Sequence, residues 1–199
     1  MPKTIAILLF PLVEELDFVG PWEVFTYLAA QRPETCTVVT VAEQAGEIRC
    51  AKGLRVIAEH GFASCPTPDL LVVPGGQGTR TEVDNPRVID FIRRVANSAV
   101  ATSVCTGAFL LAQAGLLAGR RATTHWRSMD RLRAIEGITV VEERWVDEGR
   151  VVTCSGISSG IDMSLYLVGR LWGAETARLV QKGIEYFPAP PYSDVPIPS

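Results

Sequence analysis

The chain has 199 residues, of which 47% are hydrophobic and 21% are charged, and its formal net charge is −3. This length and composition predict a folded chain with a full hydrophobic core and exclude a disordered one. The 19 Lys and Arg residues are scattered, so we expect no nucleic-acid partner, because phosphate binding needs clustered basic side chains. No apolar run reaches the roughly 18 residues that span a bilayer, so we expect no membrane partner either.

Short apolar runs rich in Val and Ile alternate along the chain with longer stretches of helical pattern. The runs predict strands over residues 4–10, 36–42, 54–58, 69–73, 100–104, 139–142 and 151–154. The helical patterns cover residues 21–30, 86–97, 106–114, 128–135 and 158–171. A hairpin is expected around Glu148-Gly149. Apolar strands that alternate with helices predict an α/β fold with a mostly parallel sheet covered on both faces.

No internal repeat and no Pro-, Gly- or Ser-rich linker divides the chain, so we predict one domain over residues 1–187. The last stretch, residues 188–199, contains five prolines and cannot be helical. We therefore expect it to be a tail, or an arm laid over a partner subunit.

The five cysteines, at positions 36, 50, 65, 105 and 154, form an odd set without close pairs. This pattern is typical of a reducing compartment rather than of a disulfide framework. The chain has no C-x-x-C motif and only two histidines, His60 and His125, which argues against structural zinc. Its first residues lead into a predicted strand without a signal-peptide pattern. We therefore expect a cytoplasmic protein that needs neither metal nor another cofactor.

Cys105 is the candidate nucleophile, because it lies where a predicted strand ends and a helix begins within two residues. The carboxyl ends of strands in an open α/β sheet are where ligands bind, and Gly107 permits the sharp turn of a nucleophile elbow. The N-terminus of the following helix is expected to lower the pKa of the thiol. The alternative is a buried, inert cysteine, which we favour for the other four cysteines.

Two other segments are expected at the same end of the sheet. The turn Pro74-Gly75-Gly76 follows a strand, and the N–H groups of Gly76 and Thr106 could stabilise negative charge on a substrate. Asp17 lies in an acidic stretch after the first strand, between Leu16 and Phe18, so partial burial and a raised pKa are expected. Its carboxyl group could shuttle a proton to Cys105. A solvated acidic loop or a helix cap is the alternative.

These segments resemble the ThiJ/PfpI branch of the class I glutamine amidotransferase-like superfamily, over nearly the whole chain. Within that branch the motifs are similar to those of the isocyanide hydratases. The shared motifs are Leu16-Asp17 with Gly20-Pro21, Ser103-Val104-Cys105-Thr106-Gly107, residues 119–126, Gly156-Ile157 with Gly160-Ile161-Asp162, and Glu185-Tyr186. The same motifs occur in the amidase-like domains of AraC-type regulators, which continue into a helix-turn-helix domain that we do not expect here.

The resemblance implies a flavodoxin-like three-layer sandwich that forms a homodimer and acts on a small-molecule substrate. It implies Cys105 as nucleophile, Asp17 as its acid–base partner, and Thr106 as a donor through its N–H and hydroxyl. Ile157, with Gly76 and Thr106, is expected to bind the substrate or its developing charge. Proteolytic members of the branch carry a histidine directly after the cysteine, so Thr106 argues against a peptidase.

Three functions follow as hypotheses. The first is hydration of an isocyanide to an N-substituted formamide through a thioimidate on Cys105, in a small apolar pocket lined by Trp22, Trp126 and Ile157. The second is a sensor of a ligand or of cysteine oxidation, without turnover. The third is a glyoxalase or deglycase acting on small aldehydes, which Glu14 and Glu15 keep open.

Three residues in the shared motifs are expected to be structural. We expect His125 to be a hydrogen-bonded histidine on a strand, Trp126 to pack in the core or line the pocket, and Asp162 to cap or pair locally.

Overall fold

The computed structural model describes residues 2–191, and within that span the chain forms eleven strands and seven helices. The strands are β1 (Lys3–Leu8), β2 (Cys36–Ala42), β3 (Gly46–Arg49), β4 (Arg55–Ala58), β5 (His60–Gly61), β6 (Leu70–Val73), β7 (Val100–Val104), β8 (Arg120–Ala122), β9 (Ile138–Val140), β10 (Trp145–Asp147) and β11 (Val151–Cys154). The helices are α1 (Glu15–Gln31), α2 (Thr79–Glu82), α3 (Pro86–Ala96), α4 (Gly107–Gln113), α5 (Met129–Arg133), α6 (Ser159–Trp172) and α7 (Ala174–Gly183).

Seven strands form the central sheet, in the order β10-β11-β7-β6-β1-β2-β5. All neighbours pair in parallel except β10 and β11, which form the predicted antiparallel hairpin. The central strands β6 and β7 are almost wholly buried, as their apolar sequences predict.

Helices cover the sheet on both faces because its crossovers run in two directions. The chain passes from β1 through α1 to β2, and from β6 through α3 to β7, on opposite sides of the sheet's centre. Since such crossovers are right-handed, α1 and α3 lie on opposite faces. Helices α6 and α7 pack against α1, and α4 packs against α3. The reversal between β1 and β6 opens a crevice at the carboxyl ends of these strands, where ligands bind in such folds.

The predicted strands are largely confirmed, and β2, β7 and β11 have the predicted bounds. Two predicted strands lie outside the central sheet, because β4 pairs with β3 and β9 pairs with β8. The sequence analysis missed α7, which follows α6 after the single residue Gly173. Residues 188–191 carry no helix or strand, and the rest of the predicted tail, 192–199, lies outside the described residues.

Helix α1 begins at Glu15, so the prediction of a start at Pro21 was wrong. A proline usually marks the first turn of a helix, and here it lies inside one and is buried. The helix continues through it because α6 packs closely there: a Cβ atom on Gly160 would lie 3.2 Å from Cδ of Pro21. The acidic stretch that includes Asp17 is therefore the first turn of a helix and not a loop.

In the part of the chain that the structure describes, no helix is long and apolar enough to cross a membrane.

Two glycines test how tightly the layers pack. A Cβ atom on Gly107 would overlap the carbonyl oxygen of Val73, whereas one on Gly169 would lie 3.5 Å from Cβ of Ala177, an ordinary contact. We expect Gly107→Ala to lower the free energy of unfolding by about 1–3 kcal/mol, as overpacking does. Gly169→Ala should raise it by up to about 1 kcal/mol, because alanine favours a helix interior. Urea denaturation of both variants measures this, and equal effects would contradict the packing described.

Candidate active site

Four chain segments meet at the carboxyl ends of β1, β6, β7 and β11. They carry Asp17 in the first turn of α1, Gly75-Gly76 after β6, Cys105-Thr106 after β7, and Ile157 after β11. The topology of the sheet therefore brings together residues that are up to 140 positions apart in the sequence. All the predicted site residues lie in this group.

Cys105 occupies a sharp turn between β7 and α4. Its φ angle is +57°, a left-handed conformation that non-glycine residues rarely adopt. Hydrogen bonds hold it there: its N–H donates to the carbonyls of Ser155 (2.9 Å) and Cys154 (3.2 Å), and its carbonyl accepts from Oγ1 of Thr124 (2.8 Å). Backbone strain of this kind persists where the surrounding structure enforces it, and it is concentrated at functional sites.

The Asp17 carboxyl group is fully buried beside the Cys105 thiol. Its Oδ2 accepts a hydrogen bond from the N–H of Gly75 (2.8 Å). A hydrogen bond with the Cys105 thiol lowers the pKa of the carboxyl group. The other carboxyl oxygen, Oδ1, has no hydrogen-bond partner of normal geometry among the described residues. A buried oxygen without a hydrogen-bond partner is well placed to hold a proton or to accept one.

Burial controls the ionisation of both groups. It raises the pKa of Asp17 to about 7, against the lowering effects of hydrogen bonds with Gly75 and Cys105. Burial, together with the charge of Asp17, raises the pKa of Cys105 to about 12. Near neutral pH the pair therefore carries at most one negative charge, which lies on Asp17, since a second would have no solvent to stabilise it.

The expectation that the helix N-terminus lowers the pKa of Cys105 was wrong for the free protein. Helix α4 has only seven residues, and the thiol is 6% exposed, so loss of solvation outweighs the helix dipole.

Three donors surround the thiol and favour its charged form. They are the N–H and the hydroxyl of Thr106 and the N–H of Ile157. Ile157 has a φ angle of +35°, which is strained for a β-branched residue. The sequence motif Gly156-Ile157 identified this residue, but only the fold brings its N–H near enough to lower the pKa of the thiol.

Gly76 has a different role from the one predicted. Its N–H donates to Oγ1 of Thr106 (3.0 Å), so in this structure it is not free to bind a substrate. The hydroxyl of Thr79 lies 3.1 Å from the same oxygen. Gly76 and Thr79 therefore orient the Thr106 hydroxyl, which contacts the thiol directly.

Gly75 is the functional residue that the sequence analysis missed. Its N–H holds Asp17, and a Cβ atom at this position would lie 2.6 Å from both N and Oγ1 of Thr106 and 2.8 Å from Oδ2 of Asp17. Only glycine fits between the acid and the elbow. The Gly75-Gly76 pair was visible in the sequence, but nothing in it distinguished the roles of the two residues.

A cleft of about 750 Å³ lies next to this pair of groups. Its floor includes Ile157 and Ser155, which contact Cys105, and Leu16, which adjoins Asp17. The other lining residues are His125, Trp126, Met129, Asp130, Arg133, Glu142, Glu143, Arg144, Gly156 and Ser158. The expectation of a small apolar pocket was therefore wrong in part, because charged side chains form much of the wall.

Trp126 lines the cleft as expected, whereas Trp22 and the location of His125 differ from expectation. Trp126 is 56% exposed and lines the cleft, whereas Trp22 packs against the core and does not line it. His125 lies after β8, not on a strand, and its Nδ1 accepts a hydrogen bond from the N–H of Arg127 (3.2 Å). It begins a 3-10 turn over Trp126–Ser128. A structural role for His125 agrees with this geometry.

Other carboxylates near the start of α1 are engaged elsewhere. Glu14 forms an ion pair with Lys52, and Oε1 of Glu15 accepts from the N–H of Lys52 (2.7 Å). Asp17 is the carboxylate whose charge raises the pKa of Cys105. Within residues 2–191, no three His, Cys, Asp or Glu side chains form an arrangement that could hold a metal ion.

The raised pKa of Asp17 makes stability depend on pH. Because the folded chain holds this proton up to about pH 7 and the unfolded chain loses it near pH 4, stability should fall as pH rises between these values. Asp17→Asn should remove this loss and be more stable than wild type at pH 8 by about 2–4 kcal/mol. Asp90→Asn, at an exposed residue of α3, is the matched control. Urea denaturation from pH 4 to 8 measures both, and a wild-type slope in Asp17→Asn would refute the assignment.

Comparison with known proteins agrees with this fold. Residues 3–170 match the DJ-1/PfpI family. An isonitrile hydratase of Pseudomonas putida is 40% identical over 193 residues, which cover 96% of this chain and 82% of that protein. The transcriptional regulator GbdR of Pseudomonas aeruginosa is 26% identical over 93% of this chain, which spans about half (51%) of the regulator.

Solved structures extend the likeness to the backbone. A ThiJ/PfpI family protein from Pseudomonas syringae has a TM-score of 0.89 and 30% identity, over 98% of this chain and 80% of that one. Drosophila melanogaster DJ-1beta has a TM-score of 0.83 over 94% of this chain and all of that one, and its 20% identity shows the fold alone. The fold and the match over residues 3–170 show that the chain belongs to the DJ-1/PfpI family.

Proposed function

We propose that this chain is a cysteine-dependent hydro-lyase that hydrates an isocyanide to an N-substituted formamide. The observation that carries the proposal is the buried pair of Cys105 and Asp17, which can exchange one proton without changing its net charge. The 40% identity with an isonitrile hydratase, over nearly the whole chain, supports the same reaction.

The first step forms a thioimidate. The Asp17 carboxylate takes the proton of the Cys105 thiol, and the thiolate attacks the terminal carbon of the isocyanide, so that a C–S bond forms. The electron pair on that carbon then takes the proton from Asp17. The product is a thioimidate bonded to Cys105, with Asp17 again a carboxylate.

The second step hydrolyses the thioimidate on Cys105. Asp17 accepts a proton from water as the oxygen bonds to the thioimidate carbon, and the nitrogen receives that proton. The C–S bond then breaks, the hydroxyl proton returns through Asp17 to the sulfur, and the formamide leaves. One water is added, and no cofactor is needed to balance either step.

The donors around the sulfur stabilise the charge that these steps create. Thr106 and Ile157 direct N–H groups at the thiol, and the Thr106 hydroxyl adds a third hydrogen bond. Donors that are already in place act strongly in a site closed to water. The cleft beside them can accept the N-substituent of the isocyanide against Leu16, Trp126 and Met129.

Ligand sensing without turnover is the second candidate, and the likeness to the regulator GbdR favours it. Sensing by cysteine oxidation has less support, because the thiol is buried and its pKa is raised. A glyoxalase also has less support, since Glu14 and Glu15 are both bound to Lys52.

The proposal includes a homodimer in the cytoplasm. Leu12, Leu16 and Val19 are large apolar side chains exposed beside the site, and a second copy of the chain would cover them. All five cysteines are free thiols, which suits a reducing compartment.

Turnover of p-nitrophenyl isocyanide, followed by absorbance, tests the reaction. We expect Cys105→Ala to abolish it and Asp17→Asn to reduce kcat by about 10²- to 10⁴-fold, as loss of a general acid–base does. Cys65→Ala, at a half-buried cysteine remote from the site, should match wild type. Ligand binding by the wild type without any turnover would replace the hydratase with the sensor.

Sedimentation equilibrium tests the dimer. Val19→Glu places a charge on the exposed apolar face near the site and should convert the dimer to a monomer. Leu179→Glu makes the same change at a similarly exposed residue of α7 and should leave the dimer intact. A monomeric wild type, or an unchanged dimer in Val19→Glu, would contradict the proposed interface.

A further inference from the structure

We propose that Arg144 is a positioning residue that holds the loop over residues 155–158 so that the N–H of Ile157 points at the sulfur of Cys105. The turnover measurement that tests this proposal rests on the hydratase proposal. The test by alkylation needs no substrate and is independent of it. Arg144 lies before β10 and lines the cleft.

Arg144 binds both ends of this short loop. Its backbone carbonyl accepts from the N–H of Ser155 (3.0 Å), and its Nη2 donates to Oγ of Ser158 (3.2 Å). Ile157 lies between these two attachment points. The same loop contacts the elbow, because the carbonyl of Ser155 accepts from the N–H of Cys105.

A second residue fixes the guanidinium group. Nε and Nη2 of Arg144 both contact Oδ2 of Asp162 in α6, at 2.6 and 2.5 Å. The hydroxyl of Tyr186 donates to the same carboxylate oxygen (3.2 Å). A planar guanidinium can donate to the carboxylate and to the Ser158 hydroxyl at the same time. A lysine ammonium cannot do so with the same geometry.

The loop needs such support because Ile157 is strained. Its φ angle of +35° is costly for a β-branched residue, so without external bonds the backbone would relax toward negative φ. That relaxation would turn the N–H of Ile157 away from Cys105. The side-chain bond from Arg144 to Ser158 secures the far end of the loop, beside the backbone bonds that the carbonyls of Ile157 and Ser158 accept from the first turn of α6.

The expected consequence is a less acidic thiol. The N–H of Ile157 lowers the pKa of Cys105, so its loss should raise that pKa, while the charge of Asp17 and the neutral thiol of the neighbouring Cys154 stay in place. The rate of alkylation at a fixed pH follows the thiolate fraction, so it should fall about tenfold for one lost hydrogen bond to a charged group.

The test measures alkylation of Cys105 by iodoacetamide from pH 6 to 10, with peptide-resolved mass spectrometry to separate the five cysteines. Arg144→Met removes both side-chain contacts, and Ser158→Ala removes only the bond to the loop. Arg121→Met is the control, because Arg121 does not line the cleft and its ion pairs with Glu148 and Glu143 do not involve the loop over residues 155–158. The kcat and KM for p-nitrophenyl isocyanide are measured for the same variants.

We expect both variants to alkylate Cys105 about tenfold more slowly at pH 8 and throughout this range, because all of it lies below the pKa of the thiol. Where wild type turns over, kcat should fall and KM should change little, and Arg121→Met should match wild type in every measurement. Arg144→Lys should restore the rate only in part.

Wild-type alkylation profiles in folded Arg144→Met and Ser158→Ala would overturn the proposal. A raised KM with unchanged kcat and alkylation would also overturn it, because Arg144 would then bind substrate rather than position the loop. If Arg144→Met fails to fold, Ser158→Ala alone decides. Absence of turnover in wild type would refute the hydratase and leave the alkylation result valid.

Discussion

The site depends on one constraint: two acidic groups, Asp17 and Cys105, are buried side by side where only one negative charge can be stabilised. Desolvation opposes every charge there, and the charge of one group opposes that of the other. Movement of a proton from Cys105 to Asp17 leaves the net charge of the pair unchanged, whereas loss of both protons is strongly disfavoured. The proposed reaction uses the first of these changes and avoids the second.

The rest of the fold serves to hold these two groups together. The crossover reversal between β1 and β6 sends α1 to one face and α3 to the other, and the crevice between them receives the first turn of α1. Gly75 lets that turn approach the elbow, because any side chain there would collide with Thr106 and Asp17. Gly107 lets α4 start against the end of β6 in the same way. Backbone packing, rather than side-chain flexibility, thus fixes the distance between acid and thiol.

The sequence was sufficient to predict much of this arrangement. Val/Ile-rich runs identified the strands of the central sheet, and the abrupt change from strand to helix at Cys105 identified the elbow. The first helix was misplaced because Pro21 is a strong local signal for a helix start, and only tertiary packing against Gly160 overrides it. Local patterns do not report such contacts between distant segments.

The pKa of Cys105 and the contacts around the cleft were harder to predict from the sequence for the same reason. A helix N-terminus lowers the pKa of a thiol that water can reach, but the degree of burial that reverses this effect at Cys105 depends on the whole fold. Likewise, the N–H of Gly76 seemed available until the structure showed it bonded to Thr106. Arg144 belongs to no motif in the sequence. Its contacts arise because β10, which directly follows it, pairs with β11 and so places Arg144 beside the loop that follows β11.

The state of the buried pair also limits which substrates the site suits. A ligand that brought its own negative charge to the sulfur would add to the one on the Asp17–Cys105 pair, and among the described residues no cationic side chain acts on the pKa of Cys105 to offset it. A neutral electrophile adds no charge on binding, and its reaction moves the existing charge from carboxylate to thiolate and back. The donors of Thr106 and Ile157 are aimed at the sulfur, where that charge stands when the C–S bond begins to form. An isocyanide, which is neutral and accepts both a nucleophile and a proton at one carbon, meets both conditions.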